Sequence, residues 1–246
     1  MRIIAITSGK GGAGKTFISV NLAAALAYLG KDVTLIDANF TTPNTGLFLG
    51  ISTYKNTIHD LLSGNFNSNF VYSTPFGFNV VPGSLSIYSM VNARIENFDK
   101  VFEKINSEFV LLDTAAGIGR ECSYVLLSSK EVFIIVNPEI TSIIDALRVK
   151  KAVELMKKRV IGIIANKVRS SKDLERIKNY FGEEIVAVLP EDKRVLNSLE
   201  QKIPFIHLYP KSVISSQIFN LAAKISNSFL EFKPSFLEKM KFLWMK

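Results

Sequence analysis

Residues 9–16 read Gly-Lys-Gly-Gly-Ala-Gly-Lys-Thr and stand between a short apolar run, residues 3–7, and an apolar run of helical length, residues 15–29. The order strand, glycine-rich loop, helix is the context that a G-x-x-x-x-G-K-T phosphate loop requires. Its glycines let backbone N–H groups turn inward around phosphate oxygens, and the helix N-terminus adds partial positive charge. Candidate contacts to the phosphates are therefore Gly11, Gly12, Ala13, Gly14, Lys15, Thr16 and Phe17. Lys15 suits the β- and γ-phosphates, and the Thr16 hydroxyl suits Mg²⁺.

A loop of this kind constrains the rest of the chain to an α/β plan. Short, nearly all-apolar runs recur at residues 33–37, 78–81, 109–113, 132–136, 160–165 and 185–189, as strands buried on both faces must be. Helix-length segments separate them at 92–106, 141–158, 172–181 and 192–201, and another follows at 214–232. The alternation predicts a mostly parallel, twisted sheet of about seven to eight strands with helices on both faces, a P-loop NTPase fold. Ligands in such sheets sit beyond the carboxyl ends of the strands. The Asn-, Thr-, Ser- and Gly-rich stretch 40–75 reads as an insertion over that face, with a short helix near 57–62. Pro234 then interrupts the helical pattern, dividing a domain of residues 1–233 from a tail of residues 234–246.

Composition removes several alternatives. The longest apolar runs, 22–29 and 132–136, are far shorter than the roughly 20 residues that cross a bilayer, and the apolar opening reads as a buried strand, not a signal peptide. One cysteine, Cys122, excludes an internal disulfide and any CxxC metal site, and suits core packing in a reducing cytoplasm. His59 and His207 lack a partner at metal-ligand spacing. Thirty Lys and Arg against 22 Asp and Glu leave a net charge of +8, which favours anionic partners: nucleotides, anionic lipid or nucleic acid.

Lys10, a second lysine at the start of the loop, makes K-G-G-A-G-K-T resemble the deviant Walker A motif of the MinD/ParA family. The resemblance extends over nearly the whole chain. Residues 33–39 (V-T-L-I-D-A-N) are similar to the second strand and switch I, and 112–117 (L-D-T-A-A-G) to Walker B and switch II. Residues 136–138 with 140–145 resemble the N-P-E-x-x-S-x-x-D stretch of MinD-like, cell-division members. It implies an ATPase using ATP and Mg²⁺, in which Lys10 reaches the nucleotide of a second subunit in an ATP-sandwiched homodimer. Asp37 and Asp113 would serve the Mg²⁺ shell, through water where needed. Asp113 ends an apolar strand, where a carboxylate is costly unless it meets a cation. Asn166, at another strand end, can both donate to and accept from adenine. The L-P-E-D segment resembles the family's adenine-side loop, which places Pro190, Glu191 and Asp192 beside the purine; each is also compatible with an ordinary turn.

At switch I the chain departs from the family, whose usual Asp-x-Asp is here Asp37-Ala38-Asn39. An amide holds water but cannot accept its proton. The expectation is slow hydrolysis and a long-lived ATP dimer, with Asp37 available for recruitment; the alternative is that positioning and electrostatics suffice.

In the tail, Phe236, Leu237, Met240, Leu243 and Trp244 share one helical face, with Lys239, Lys241 and Lys246 off it. A basic amphipathic helix with a Trp suits the surface of an anionic membrane, and the MinD-like resemblance implies a segment of that type. A terminal helix packed on the protein itself is the alternative. The whole reads as a cytoplasmic, peripherally membrane-associated spatial regulator with an unidentified regulatory protein partner. Competing readings are a ParA-like partition ATPase that binds DNA non-specifically, and an ATP-sensing module with little hydrolysis. An iron–sulfur scaffold is disfavoured by the single cysteine.

Overall fold

A computed structural model of the chain describes residues 1–51, 54–66 and 69–244, with side chains described as far as residue 240 in the last helix. Its strands are β1 (Arg2–Ser8), β2 (Val33–Ala38), β3 (Tyr72–Ser73), β4 (Asn79–Val81), β5 (Phe109–Thr114), β6 (Glu131–Val136), β7 (Arg159–Val168) and β8 (Ile185–Pro190). They form one sheet in the order β3-β4-β2-β5-β1-β6-β7-β8. All neighbours run parallel except β3, which pairs antiparallel with β4. All seven strands expected from the sequence are present. β3 is additional, and at two residues it is too short to show a period.

Successive residues of β1 alternate between two apolar layers, Ile4 and Ile6 entering one and Ala5 the other. The first layer is filled by α1 (Lys15–Tyr28) and α10 (Val213–Ile225). The second is filled by α5 (Arg120–Ser128), α6 (Ile140–Leu155) and α7 (Ser171–Phe181). Cys122 lies in that second layer.

Three further helices border the carboxyl ends of the strands: α2 (Thr45–Phe48), α3 (Ile58–Leu62) and α8 (Arg194–Gln201). The first two lie within the expected insertion. His59 of α3 is buried, its Nε2 at 2.8 Å from the Phe40 carbonyl and its Nδ1 accepting from the Ser84 N–H at 2.9 Å. It thus ties the loop after β2 to the loop after β4 as a structural residue.

Two helical expectations need correction. Residues 92–106 do not form one α-helix; α4 (Ile87–Asn92) is followed by an extended Ala93 and a 3-10 segment, Ile95–Lys104. Its apolar residues Ile95, Phe98 and Val101 fall every third position, and a 3-10 turn stacks them on one side where an α-helix would rotate them apart. Residues 214–232 are helical only to Ile225. Ser226 donates its hydroxyl back to Ala222 O and Asn227 adopts φ 54°, which turns the chain back along α10. Phe232 then stacks on Phe219 with centroids 4.5 Å apart, and Asn220 bonds both its N–H and its carbonyl. The sequence reading also omitted α5, α2 and the short α9 (Phe205–Leu208).

Beyond Pro234, α11 (Phe236–Trp244) is held to the body by polar groups. Ser235 N donates to Lys211 O, and Arg194 grips both carboxylate oxygens of Glu238 at 3.1 and 2.8 Å. Phe236 and Leu237 remain 76% and 72% exposed, so the apolar face is turned away from the core. The side chains of Leu243 and Trp244 lie outside the described ones. Arg194→Ala is expected to raise amide exchange in residues 236–240 several-fold, with a change in melting midpoint below about 2 °C, because the partly buried pair ties down a terminal helix and not the core. Unchanged exchange would show that the backbone bond from Ser235 suffices.

Candidate functional site

A cavity of about 1040 Å³ opens at the carboxyl ends of the strands. Gly11, Gly12, Gly14, Lys15 and Thr16 floor one end, roofed by Asn39, Thr41 and Thr42 of switch I and by Ala115, Ala116 and Glu121 after β5. At the other end lie Asn166, Lys167, Arg169, Pro190, Glu191 and Asp192, with an apolar wall from Phe48, Val195, Leu199 and Ile214. The phosphate loop and the expected adenine-side residues therefore share one space, whose polar groups and apolar wall together suit a nucleotide.

Loop shape explains the glycines. Gly14 takes φ 98°, and a Cβ there would meet the Asn166 amide nitrogen at 2.4 Å. Gly9 lies so close to Asp145 of α6 that a Cβ would stand 2.4 Å from its backbone carbon. Among the described residues, the N–H groups of residues 10–14 donate to no protein acceptor. A row of free amides at the first turn of a helix is an anion site.

Lys15 is buried, and among the described residues its ammonium donates only to the Ser8 hydroxyl, at 3.1 Å. No carboxylate among the described residues pairs with it, and burial pulls its pKa below the usual lysine value. A cation held in this way gains most from an anion that enters the cavity. Lys10 is exposed at the loop's outer side, its carbonyl accepting from Ser8 Oγ at 2.8 Å. Phe17 packs edge-on against Phe205, with centroids 5.8 Å apart, so its side chain serves the core and its backbone the cavity.

The two strand-end carboxylates are register neighbours, Asp37 opposite Asp113. Asp113 accepts from Thr16 Oγ1 at 2.6 Å and Ser19 Oγ at 3.2 Å. Asp37 accepts from the N–H groups of Asn39, Asn44 and Thr45 at 3.3, 2.9 and 2.9 Å. Both are fully buried, and burial is the main cause that raises Asp37 to about 7 and Asp113 to about 6. Each sits beside a like charge, the arrangement a divalent cation would relieve. The residues present thus fit Mg²⁺, with Thr16 and Asp113 nearest to a ligand role.

Three expected residues are engaged elsewhere. Asn39 donates to Thr42 O at 2.6 Å and accepts from the Thr42 hydroxyl at 3.1 Å, so its amide is turned into its own loop. Asn166 lines the cavity but donates to Ala13 O at 2.8 Å, bracing the phosphate loop from beneath. The Asp192 carboxylate is gripped by Arg194 at 2.6–3.1 Å. Pro190 ends β8, and Glu191 N donates to Val168 O at 3.1 Å, which sets the turn beside the cavity. Lys167 and Arg169 also line this end and were not anticipated; Lys167 Nζ donates to Gly12 O at 3.0 Å. The K-V-R that follows Asn166 was a visible cationic cluster at a strand end, and its charge was the available signal.

Known proteins agree with this geometry. The model of the CobQ/CobB/MinD/ParA nucleotide binding domain matches residues 4–205. An uncharacterised ATP-binding protein of Methanocaldococcus jannaschii is 34% identical, over 96% of this chain and 94% of its own length. The antiactivator FleN of Pseudomonas aeruginosa is 30% identical over 92% of this chain and 87% of its own. The septum site-determining protein MinD of Pyrococcus horikoshii, solved with Mg-ADP, superposes with a TM-score of 0.84 at 29% identity, covering 91% of this chain and 95% of that one. With the loop, the paired carboxylates and the strand order all in place, the chain belongs to the CobQ/CobB/MinD/ParA nucleotide-binding family.

Proposed function

We propose that the chain is a MinD-like ATPase switch that binds ATP with Mg²⁺ in the large cavity, dimerises in that state and then associates with an anionic membrane. The observation that carries the reading is the buried Lys15 ammonium, paired only with a hydroxyl, beneath a loop of unclaimed amides. The triphosphate lies along residues 11–16, and Mg²⁺, held by Thr16 with Asp113 directly or through water, neutralises charge that develops on the phosphates. Asp37 holds switch I in place through three amides and supports the same cation. The purine faces residues 190–192 and the apolar wall, with Asn166 bracing the loop from below.

Dimerisation is supported by Lys10, which is exposed, and by a group of exposed apolar side chains. Leu47 and Leu85 border one cleft with Asp37 and are 48% and 56% exposed, while Ile87, Tyr88 and Val91 of α4 are 77–80% exposed. Exposed apolar groups clustered in this way suit burial against a second copy. The membrane reading is supported by α11, whose Phe236 and Leu237 face outward with Met240 partly exposed and Lys239 beside them. Two such helices brought together bind a surface much more tightly than one. Turnover is slow because Asn39 lacks a carboxylate, and a regulatory protein partner acts on the ATP form.

Sedimentation with vesicles containing anionic lipid tests the whole reading. Wild-type protein is expected to sediment at least tenfold better with ATP and Mg²⁺ than with ADP, and to be dimeric by light scattering in ATP only. Lys10→Ala should bind ATP yet remain monomeric, and a chain ending at Lys233 should dimerise without sedimenting. Equal sedimentation of that shortened chain would exclude the tail, while an ATP-dependent shift of plain duplex DNA would favour the partition-type reading.

A further inference from the structure

Hydrolysis is accelerated by a group that orients the attacking water and can receive its proton, and switch I does not supply such a carboxylate. Asn39 is an amide engaged with Thr42, and Asp37 is fully buried with its oxygens taken by three backbone N–H groups. Asp113 is buried, accepts from the hydroxyls of Thr16 and Ser19, and is already assigned to the Mg²⁺ site. Glu191 and Asp192 border the opposite end of the cavity. Asp145, which packs on Gly9, does not line this cavity and pairs with Arg148. Among the residues that line it, one further carboxylate is left: Glu121, in the first turn of α5.

Its geometry is specific. Glu121 Oε1 accepts the Thr41 N–H at 3.1 Å and Oε2 accepts the Thr41 hydroxyl at 2.7 Å. A switch II carboxylate is thereby fixed across the cavity mouth by a switch I residue two positions past Asn39. A carboxylate has about four lone-pair sites, and Thr41 uses two of them. The other two stay available to a water, and the fixed orientation removes part of the entropy cost of placing it. Lys15, Thr16 and Ala116 line the same cavity as Glu121.

We propose that Glu121 is the catalytic carboxylate of this chain, replacing from switch II the acid that Asn39 lacks in switch I, with Thr41 as its positioning residue. The water oxygen bonds to the γ-phosphorus as the bond between that phosphorus and the β-phosphate oxygen breaks. ADP keeps the electron pair of the broken bond. The proton lost by the water passes to Glu121 and from there to solvent or to the released phosphate. The proposal rests on the ATP-hydrolysis reading above and adds the identity of the base.

The test uses the full chain with ATP and Mg²⁺, reading phosphate release and ATP affinity, with Lys15→Ala as the zero. Glu121→Gln keeps an acceptor for the Thr41 N–H; it is expected to hold ATP affinity within about threefold and to slow phosphate release roughly 10²- to 10³-fold, the usual scale for loss of a general base. Adding Asn39→Asp to that variant returns a carboxylate from the switch I side and should restore most of the rate. Thr41→Ala leaves the carboxylate in place and should lose about tenfold or less. Melting curves identify any variant that fails to fold, and Glu121→Asp then serves as the conservative substitute, with a smaller loss. Wild-type turnover above the Lys15→Ala zero, matched by Glu121→Gln, overturns the proposal while leaving the hydrolysis reading intact. A Thr41→Ala loss as deep as that of Glu121→Gln, with no rescue by Asn39→Asp, overturns it in favour of a latch between the switches. Wild-type turnover at the zero level removes the hydrolysis reading itself, and the proposal with it.

Discussion

Lys15→Ala is expected to weaken ATP binding by about 2–5 kcal/mol, roughly 30-fold to several thousandfold in Kd, while leaving the fold intact. The asymmetry follows from what Lys15 touches. Its ammonium is buried and, among the described residues, bonded only to Ser8 Oγ, and the nearby Asp113 offsets its desolvation in part, burial remaining the larger effect. A triphosphate repays that desolvation with two or more charge-assisted hydrogen bonds in a region of low dielectric. Removing the ammonium therefore removes a large fraction of affinity and little stability. Calorimetric titration with ATP, beside melting curves with and without it, reads both quantities. A variant whose melting midpoint still rose with ATP as far as the wild type's would show that the phosphates lie elsewhere.

The second large effect concerns the paired carboxylates. Burial lifts Asp37 to about 7 and Asp113 to about 6, and for Asp37 the neighbouring Asp113 adds to the rise. Both folded-state values exceed the value near 4 of an unfolded aspartate. Protonated carboxyls are therefore preferred by the folded state, and the associated stability is complete below about pH 4 and lost as pH rises through 6 to 7. Nucleotide-free protein should thus become less stable between pH 5 and pH 8, by an amount on the order of 2–4 kcal/mol. Asp113→Asn keeps the shape and an acceptor for Thr16 but removes one charge of the pair. Its nucleotide-free melting midpoint at pH 8 should exceed that of the wild type by roughly 5–10 °C. The increment that Mg²⁺ and ATP confer should shrink in the same variant, because the cation has lost its counter-charge. A variant melting below the wild type at pH 8 would mean that the Thr16 and Ser19 bonds to Asp113 outweigh the repulsion. Stability sacrificed at these two positions is expected of a cation site, where like charges wait for a metal.

Much of this molecule is legible in its residues because the relevant physics is local. The run 3–7, four glycines and a helical run fix a strand, a loop and a helix in immediate succession, and the site at Lys15 and Thr16 follows from that. Strands buried on both faces announce themselves as unbroken apolar runs, which is why β1, β2, β5 and β6 were plain. Shorter or mixed segments were not. β3 is two residues long, and the 3-10 segment 95–104 carries a three-residue period easily taken for a noisy helical one.

Site chemistry divides in the same way. Residue type and spacing gave the phosphate loop and the acids at the ends of β2 and β5, and the family resemblance gave the missing carboxylate at Asn39. That Glu121 is tied to switch I depends on a contact between residues 80 positions apart, Thr41 and Glu121, and no local pattern encodes it. The amphipathic tail was likewise visible as a helix, but its seat depends on Glu238 meeting Arg194, 44 residues earlier in the chain. The sequence by itself determined the buried parallel strands, the nucleotide chemistry and the family resemblance, because each is written in runs of neighbouring residues. Only the tertiary structure decided which side chains are already spent on the backbone and which remain free for a ligand, since hydrogen bonding between distant segments is settled when the sheet brings their ends together.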